Sequence, residues 1–239
     1  MKRRLRPWVK ALLALSSLLG LHALSPDPPQ EEVSVSGEQS ESEEYVVEET
    51  EEPRTLADWK KINPKVYCVL TFEDGDRRRV IPVLSGVDEA YALKHNVHGE
   101  YDTMGSVFCD TPSGASGNLV IYGHSSFTKD WCFTFLKKFM DPEYYRRHLS
   151  FVMEAEDGTT NCRIVSAAVY DLTEEGYVGW ADENLSDKTE IEAMFRETVP
   201  YLVCHTDGAV SEGGGILTLV TCDMGKEDAR IVVQALREA

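Results

Sequence analysis

The chain has 239 residues and a formal net charge of −17, with 42% hydrophobic residues. That is enough apolar material for one ordinary domain with extensions. The acidic balance argues against nucleic-acid binding, because phosphate contacts need clustered Lys and Arg.

The charge is unevenly spread. Residues 1–26 hold five basic residues and no acid, and residues 27–52 hold eleven acids and no base. The basic start followed by an apolar run over 11–24 reads as a secretory signal or short anchor. Fourteen residues span roughly 21 Å of helix, and about 25 Å with Trp8 and Val9 added. Pro26 would follow a cut after Ser25 and disfavours cleavage. The expectation over 1–25 is therefore a retained N-terminal anchor in the cell membrane, single-pass, with the rest of the chain outside the cell. Residues 26–54, rich in Pro, Ser and Glu, read as an acidic disordered linker, and 55–239 as the folded domain.

Within the domain, 56–62 reads as a short helix stopped by Asn63-Pro64. Strands are expected over 66–72 and 80–84, with Asp74-Gly75 as the turn between them. Pro82 places the second strand at an edge or bulge. A short helix over 88–94 precedes strands at 106–108 and 119–122. Helical turns follow at 133–139 and 143–148, then a hairpin of 151–155 and 162–170 around Asp157-Gly158. Asp187 and Glu190 form a capping pair for a helix closed by Pro200. A glycine turn at 213–215 leads to a strand ending at Cys222, and 230–235 is the last strand. Eight or so short strands with few helices predict a mainly β, barrel-like fold.

Six cysteines would allow three disulfides in an extracellular protein. Their spacing is irregular and lacks a CxxC pair, so structural zinc is not expected. Cys68 and Cys162 read as small buried hydrophobes within apolar strands. Cys222 differs: it ends the run Leu217-Thr218-Leu219-Val220-Thr221 and precedes a polar loop, so its sulfur is expected at an exposed strand end. A thiol there needs an acid/base partner. His124 ends another apolar strand, after Tyr122-Gly123. The rival pair Cys204/His205 is disfavoured because adjacent strand residues point to opposite faces. Arg230 opens the β-branched run Ile231-Val232-Val233 and is suited to stabilising an oxyanion. By residue type, each of these also has a bland reading as an ordinary core or surface residue.

Taken together, Thr218-Leu219-Val220-Thr221-Cys222, the segment Asn118 to His124 and Arg230-Ile231-Val232-Val233 resemble the signature strands of sortases, the cysteine transpeptidases of Gram-positive bacteria. The helix before the first strand, the Tyr-Gly-His form of the histidine motif, the segment Phe135-Leu136-Lys137-Lys138-Phe139 and the helix from Asp187 resemble class B. The resemblance implies an eight-stranded sortase β-barrel with an N-terminal helix and a further helix between later strands. It implies that Cys222 attacks after the Thr of a C-terminal sorting signal of Asn/Ser/Leu-Pro-x-Thr-Gly/Asn type, forming a thioacyl enzyme. His124 would serve as acid and base, Arg230 as oxyanion or substrate-backbone holder, and Tyr122 and Thr221 as substrate-binding residues. Such enzymes are thought to work from a minor thiolate–imidazolium population. The expected partners are surface proteins bearing the signal and a peptidoglycan precursor or other amine acceptor, with no cofactor or metal. Two departures stand out: Val220 where serine is common and Ser125 where asparagine is common. A pilin-polymerising sortase, a hydrolytic cysteine protease and a non-catalytic surface-binding domain on the same fold remain the alternatives.

Overall fold

The computed structural model describes residues 55–109, 117–172, 179–182, 185, 187–206, 210, 214–226 and 228–237. The expected anchor over 1–25, the whole linker over 26–54 and part of the glycine turn lie outside these residues.

Nine strands form one sheet, and eight of them close a barrel. They are β1 (Val66–Asp74), β2 (Arg77–Leu84), β3 (Val107–Cys109), β4 (Asn118–Tyr122), β5 (Ser150–Ala155), β6 (Gly158–Asp171), β7 (Leu202–His205), β8 (Ile216–Cys222) and β9 (Ala229–Arg237). The closed circuit runs β5-β1-β2-β3-β4-β8-β9-β6 and back to β5, and β7 adds to the edge of β6. Closure removes open sheet edges. The expected eight-stranded barrel is present.

The helices form where the caps say they should. In α1 (Leu56–Ile62) the Thr55 hydroxyl accepts from Asp58 N, and the chain turns extended at Asn63 before Pro64. In α2 (Glu89–Ala92) the cap is Asp88. Asp141 caps α3 (Pro142–Arg147), with Pro142 in its first turn. In α4 (Lys188–Thr198) the Asp187 carboxylate accepts from Glu190 N, and Ile191, Met194 and Thr198 are buried. Residues Thr134–Met140 form a 3-10 helix. Pro82 lies at a local edge of β2, because β3 pairs with β2 only from Val83 onward. Pro82 therefore sits where β2 is paired on one side, by Val69, and its missing N–H is needed less.

One expectation is corrected. No helix among the described residues is long and apolar enough to cross a membrane. The longest, α4, has 11 residues, about 16 Å against a hydrocarbon core of ~30 Å. A single-pass membrane placement is therefore not carried forward.

The sheet is buried on both sides. Leu217 and Leu219 of β8 and Ile231, Val233 and Ala235 of β9 face the barrel interior, with Phe72, Phe135 and Phe151. The alternate residues, Val220 and Val232, face outward into a second cluster with Val120, Tyr122, Tyr170, Leu93 and Trp180. That outer cover explains why every residue of β8 and β9 is buried.

Candidate active site

Cys222, His124 and Arg230 come from three adjacent strands in the order β4-β8-β9. β8 and β9 are antiparallel, with Cys222 directly opposite Arg230. β4 and β8 are parallel, with Tyr122 opposite Val220. Continuing that register by two residues sets His124 opposite Cys222. Two hydrogen bonds hold the continuation: Gly123 N donates to Val220 O at 3.1 Å, and Thr221 Oγ1 donates to Gly123 O at 2.8 Å. Side chains two apart share a face, so the row His124–Cys222–Arg230 lies above the row Tyr122–Val220–Val232, on the outward face. Neighbouring strands about 4.8 Å apart set the scale of the row.

Gly123 lets Phe133 and Val107 pack tightly against the strand just before His124. A Cβ there would meet Phe133 Cδ2 at 2.9 Å and Val107 Cγ2 at 3.0 Å. Phe133 N in turn donates to His124 O at 3.1 Å. The imidazole is oriented by one bond, Nε2 to the Leu93 carbonyl oxygen at 3.1 Å. A carbonyl only accepts, so Nε2 carries the proton and Nδ1 is left to exchange a proton with a neighbour. Burial pushes the His124 pKa below its usual 6.5, and the Leu93 bond and Asp102 oppose that shift.

Cys222 is 8% exposed. Its sulfur is not at an exposed strand end, because the chain beyond it turns back onto β9, with Asp223 N donating to Ala229 O at 3.0 Å. Burial raises its pKa above 9.0, and the Arg230 charge partly offsets this. Near neutrality the resting pair is therefore thiol and neutral imidazole.

Arg230 is 3% exposed. Its Nη1 donates to Ala229 O at 2.8 Å, while Nη2 is buried without a hydrogen-bond partner. Leaving a charged donor unsatisfied is costly, and this one belongs to the residue paired with Cys222.

Tyr122 and Thr221 lie under the row. Tyr122 is 1% exposed, with its ring 5.8 Å from that of Phe108. Thr221 is 2% exposed and its hydroxyl is spent on Gly123 O. The rival pair is split, as strand alternation required: Cys204 packs in the interior cluster and His205 is exposed on β7. All six cysteines are free thiols, which removes the three disulfides, and Cys68 and Cys162 are fully buried. Sequence reasoning missed Leu93, whose contribution is a backbone carbonyl and leaves no signal in residue type.

The family model described as Sortase domain matches residues 76–238. The chain belongs to the sortase family, and to its class B. Sortase B of Listeria monocytogenes is 31% identical over 185 residues, covering 75% of this chain and 72% of that protein. The crystal structure of Clostridium perfringens sortase B is similar with a TM-score of 0.65 at 25% identity, over 77% of this chain and 99% of that one. A Staphylococcus aureus sortase B–substrate complex shares the fold with a TM-score of 0.64 at 22% identity, over 76% and 83% of the two chains. The sortase family and fold support a transpeptidase.

Proposed function

We propose that this sortase cleaves a C-terminal sorting signal after threonine and transfers the acyl group to an amine of the cell wall. The supporting observation is the orphaned Nη2 of Arg230 in the same cross-strand row as Cys222 and His124. The row offers a nucleophile, a proton carrier with its tautomer set, and an unspent cationic donor for a developing oxyanion.

The steps balance as follows. The Cys222 sulfur attacks the threonine carbonyl carbon, with its proton passing to His124 Nδ1. Negative charge grows on the carbonyl oxygen, where Arg230 Nη2 supplies its hydrogen bond. The C–N bond breaks as His124 returns the proton to the leaving amine, leaving a thioester on Cys222. An incoming amine attacks that thioester, gives its proton to His124, and the sulfur departs and is reprotonated. Thr221 holds the histidine strand through Gly123, and Tyr122 is the floor beneath it. The proposed substrates are surface proteins bearing an Asn/Ser/Leu-Pro-x-Thr-Gly/Asn-type signal, and the acceptor is a peptidoglycan precursor amine.

The test is intact-mass measurement of the full chain mixed with such a peptide. An acyl adduct on Cys222 accumulates without an acceptor and disappears when an amine is added, with amide as product. Acid as the product regardless of amine would make the protein a hydrolase. Cys222→Ala that keeps its biological function would make it a binding module.

A further inference from the structure

The outward face of the sheet carries a buried polar chain that the chemistry above leaves unused. Ser166 Oγ donates to Gln234 Oε1 at 3.0 Å. Gln234 Nε2 donates to Thr218 Oγ1 at 3.4 Å and also reaches Met194 Sδ of α4 at 3.4 Å. Thr218 Oγ1 donates to Asn118 Oδ1 at 2.8 Å. Asn118 Nδ2 then donates to two backbone carbonyls, Trp180 O at 3.0 Å and Asp182 O at 3.1 Å. The donors all run in one direction, across β6, β9, β8 and β4, so each bond polarises the next. All four side chains are at most 3% exposed.

The end of this chain is not part of the barrel. Residues Gly179–Ala181 form a 3-10 turn in the long connection between β6 and β7. Trp180 packs in the outward cluster with Tyr122, Val220 and Val232, the row directly under His124, Cys222 and Arg230. Its ring also meets Tyr170 at 5.7 Å, and Tyr170 is the strand partner of Arg230. Leu93, whose carbonyl oxygen orients His124, belongs to the same cluster. The row of His124, Cys222 and Arg230 thus borders a cluster to which both Leu93 and Trp180 belong.

We infer that Asn118 is a positioning residue: with Thr218, Gln234 and Ser166 behind it, it clamps the Gly179–Ala181 turn to the sheet and so fixes the wall against which the substrate peptide is held. The inference rests on the peptide-cleaving reading for its effect on substrate, but the clamp itself is independent of that reading. The choice of asparagine follows from the geometry. Two carbonyls need two N–H donors on one short side chain, while the same side chain must accept from Thr218. Asparagine meets all three demands, and aspartate of the same size meets only the last.

The experiment uses the full chain and three variants: Asn118→Asp, Thr218→Val and Thr218→Ser. Amide hydrogen exchange over 179–182 reads the clamp, steady-state kinetics with a Pro-x-Thr-type sorting peptide read the wall, and alkylation of Cys222 reads the thiol. Asn118→Asp is expected to speed exchange over 179–182 by about tenfold or more, as loss of two buried bonds implies. KM rises by about tenfold with kcat within about twofold, and the alkylation rate is unchanged. Thr218→Val gives the same pattern more weakly, and Thr218→Ser, which keeps the hydroxyl and loses a methyl group, restores it. The inference is overturned if exchange over 179–182 stays at the wild-type rate in Asn118→Asp. It is equally overturned if Thr218→Ser is as damaged as Thr218→Val, which would make the row a matter of packing. Should Asn118→Asp not fold, the Thr218 pair decides. A wild-type chain that cleaves no sorting peptide would sink the proposed function, and exchange would still decide the clamp.

Discussion

Arg79 and Arg230 are both nearly sealed from solvent, 8% and 3% exposed, and they use their donors in opposite ways. Arg79 is saturated. Its Nε and Nη2 reach Asp74 Oδ2 at 3.2 and 2.9 Å, Nη2 also reaches Asp130 Oδ2 at 2.7 Å, and the guanidinium lies 5.0 Å over the Phe135 ring. Arg77 and Lys138 complete the pairing of the two carboxylates. Arg230 makes one bond to its own neighbour's carbonyl and keeps Nη2 unspent. A buried cation bonded to two carboxylates holds elements together: here the β1–β2 hairpin, the loop after His124 and the 3-10 helix at Thr134–Met140. A buried cation with an unpaired donor costs stability and is suited to a group that arrives later.

The sharpest way to break this contrast is to remove each cation. Arg230→Ala is expected to cut kcat/KM by two or more orders of magnitude, as loss of an oxyanion donor does, with a melting temperature at or above wild type. Wild-type turnover in that variant would return Arg230 to a structural role. Arg79→Met should do the reverse. It destabilises the fold by about 3 kcal/mol, because two carboxylates lose their shared partner, while the folded fraction alkylates and turns over normally. Urea titration read beside specific activity separates the two.

Acid sharpens the comparison further. Burial works to raise the Asp74 pKa, but hydrogen bonds from Lys138, Arg79 and Tyr144 outweigh it and hold it at about 2. A depressed carboxylate contributes stability that is present above its ordinary 3.8 and lost as pH falls through about 2. Melting temperature should therefore drop over that interval, and less steeply in Arg79→Met. The row of His124 and Cys222 responds elsewhere. His124 is lowered from 6.5 and Cys222 raised from 9.0, so kcat/KM should show a broad plateau, with its acid limb below 6.5 and its alkaline limb above 9.0. A narrow bell centred on neutrality would contradict both directions.

A smaller loss is expected for Thr221→Val. It removes the 2.8 Å bond to Gly123 O and should cost about 1 kcal/mol with a several-fold loss in kcat. His205→Ala, on exposed β7, should change neither stability nor rate.

Much of this was legible in the sequence because the signals were local. Asp187 with Glu190 announced α4, Asn63-Pro64 closed α1, and the strands around Cys222 and His124 stood out by their apolar runs. The burial of Cys222 was not legible, since a polar loop after a strand says nothing of the cluster that covers its outward face. The clamp escaped for a similar reason. Ser166 and Gln234 are 68 residues apart, and Thr218 and Asn118 are 100 apart, so nothing local marks them as partners. Arg79 left a signal that was passed over. It sits in step with Ile81 and Val83, the inward set of β2, inside a run of three arginines that reads as a solvated turn.

The parallel pairing of β4 with β8 has a consequence for how this protein comes into being. Parallel neighbours cannot be joined by a tight turn, and the bond from Thr221 to Gly123 closes across 98 residues. Contacts of such separation form late, after the entropy of a long loop has been surrendered. Until β4 and β8 pair, Cys222 and His124 are not brought side by side, so under the proposed function an incompletely folded chain does not cleave peptide.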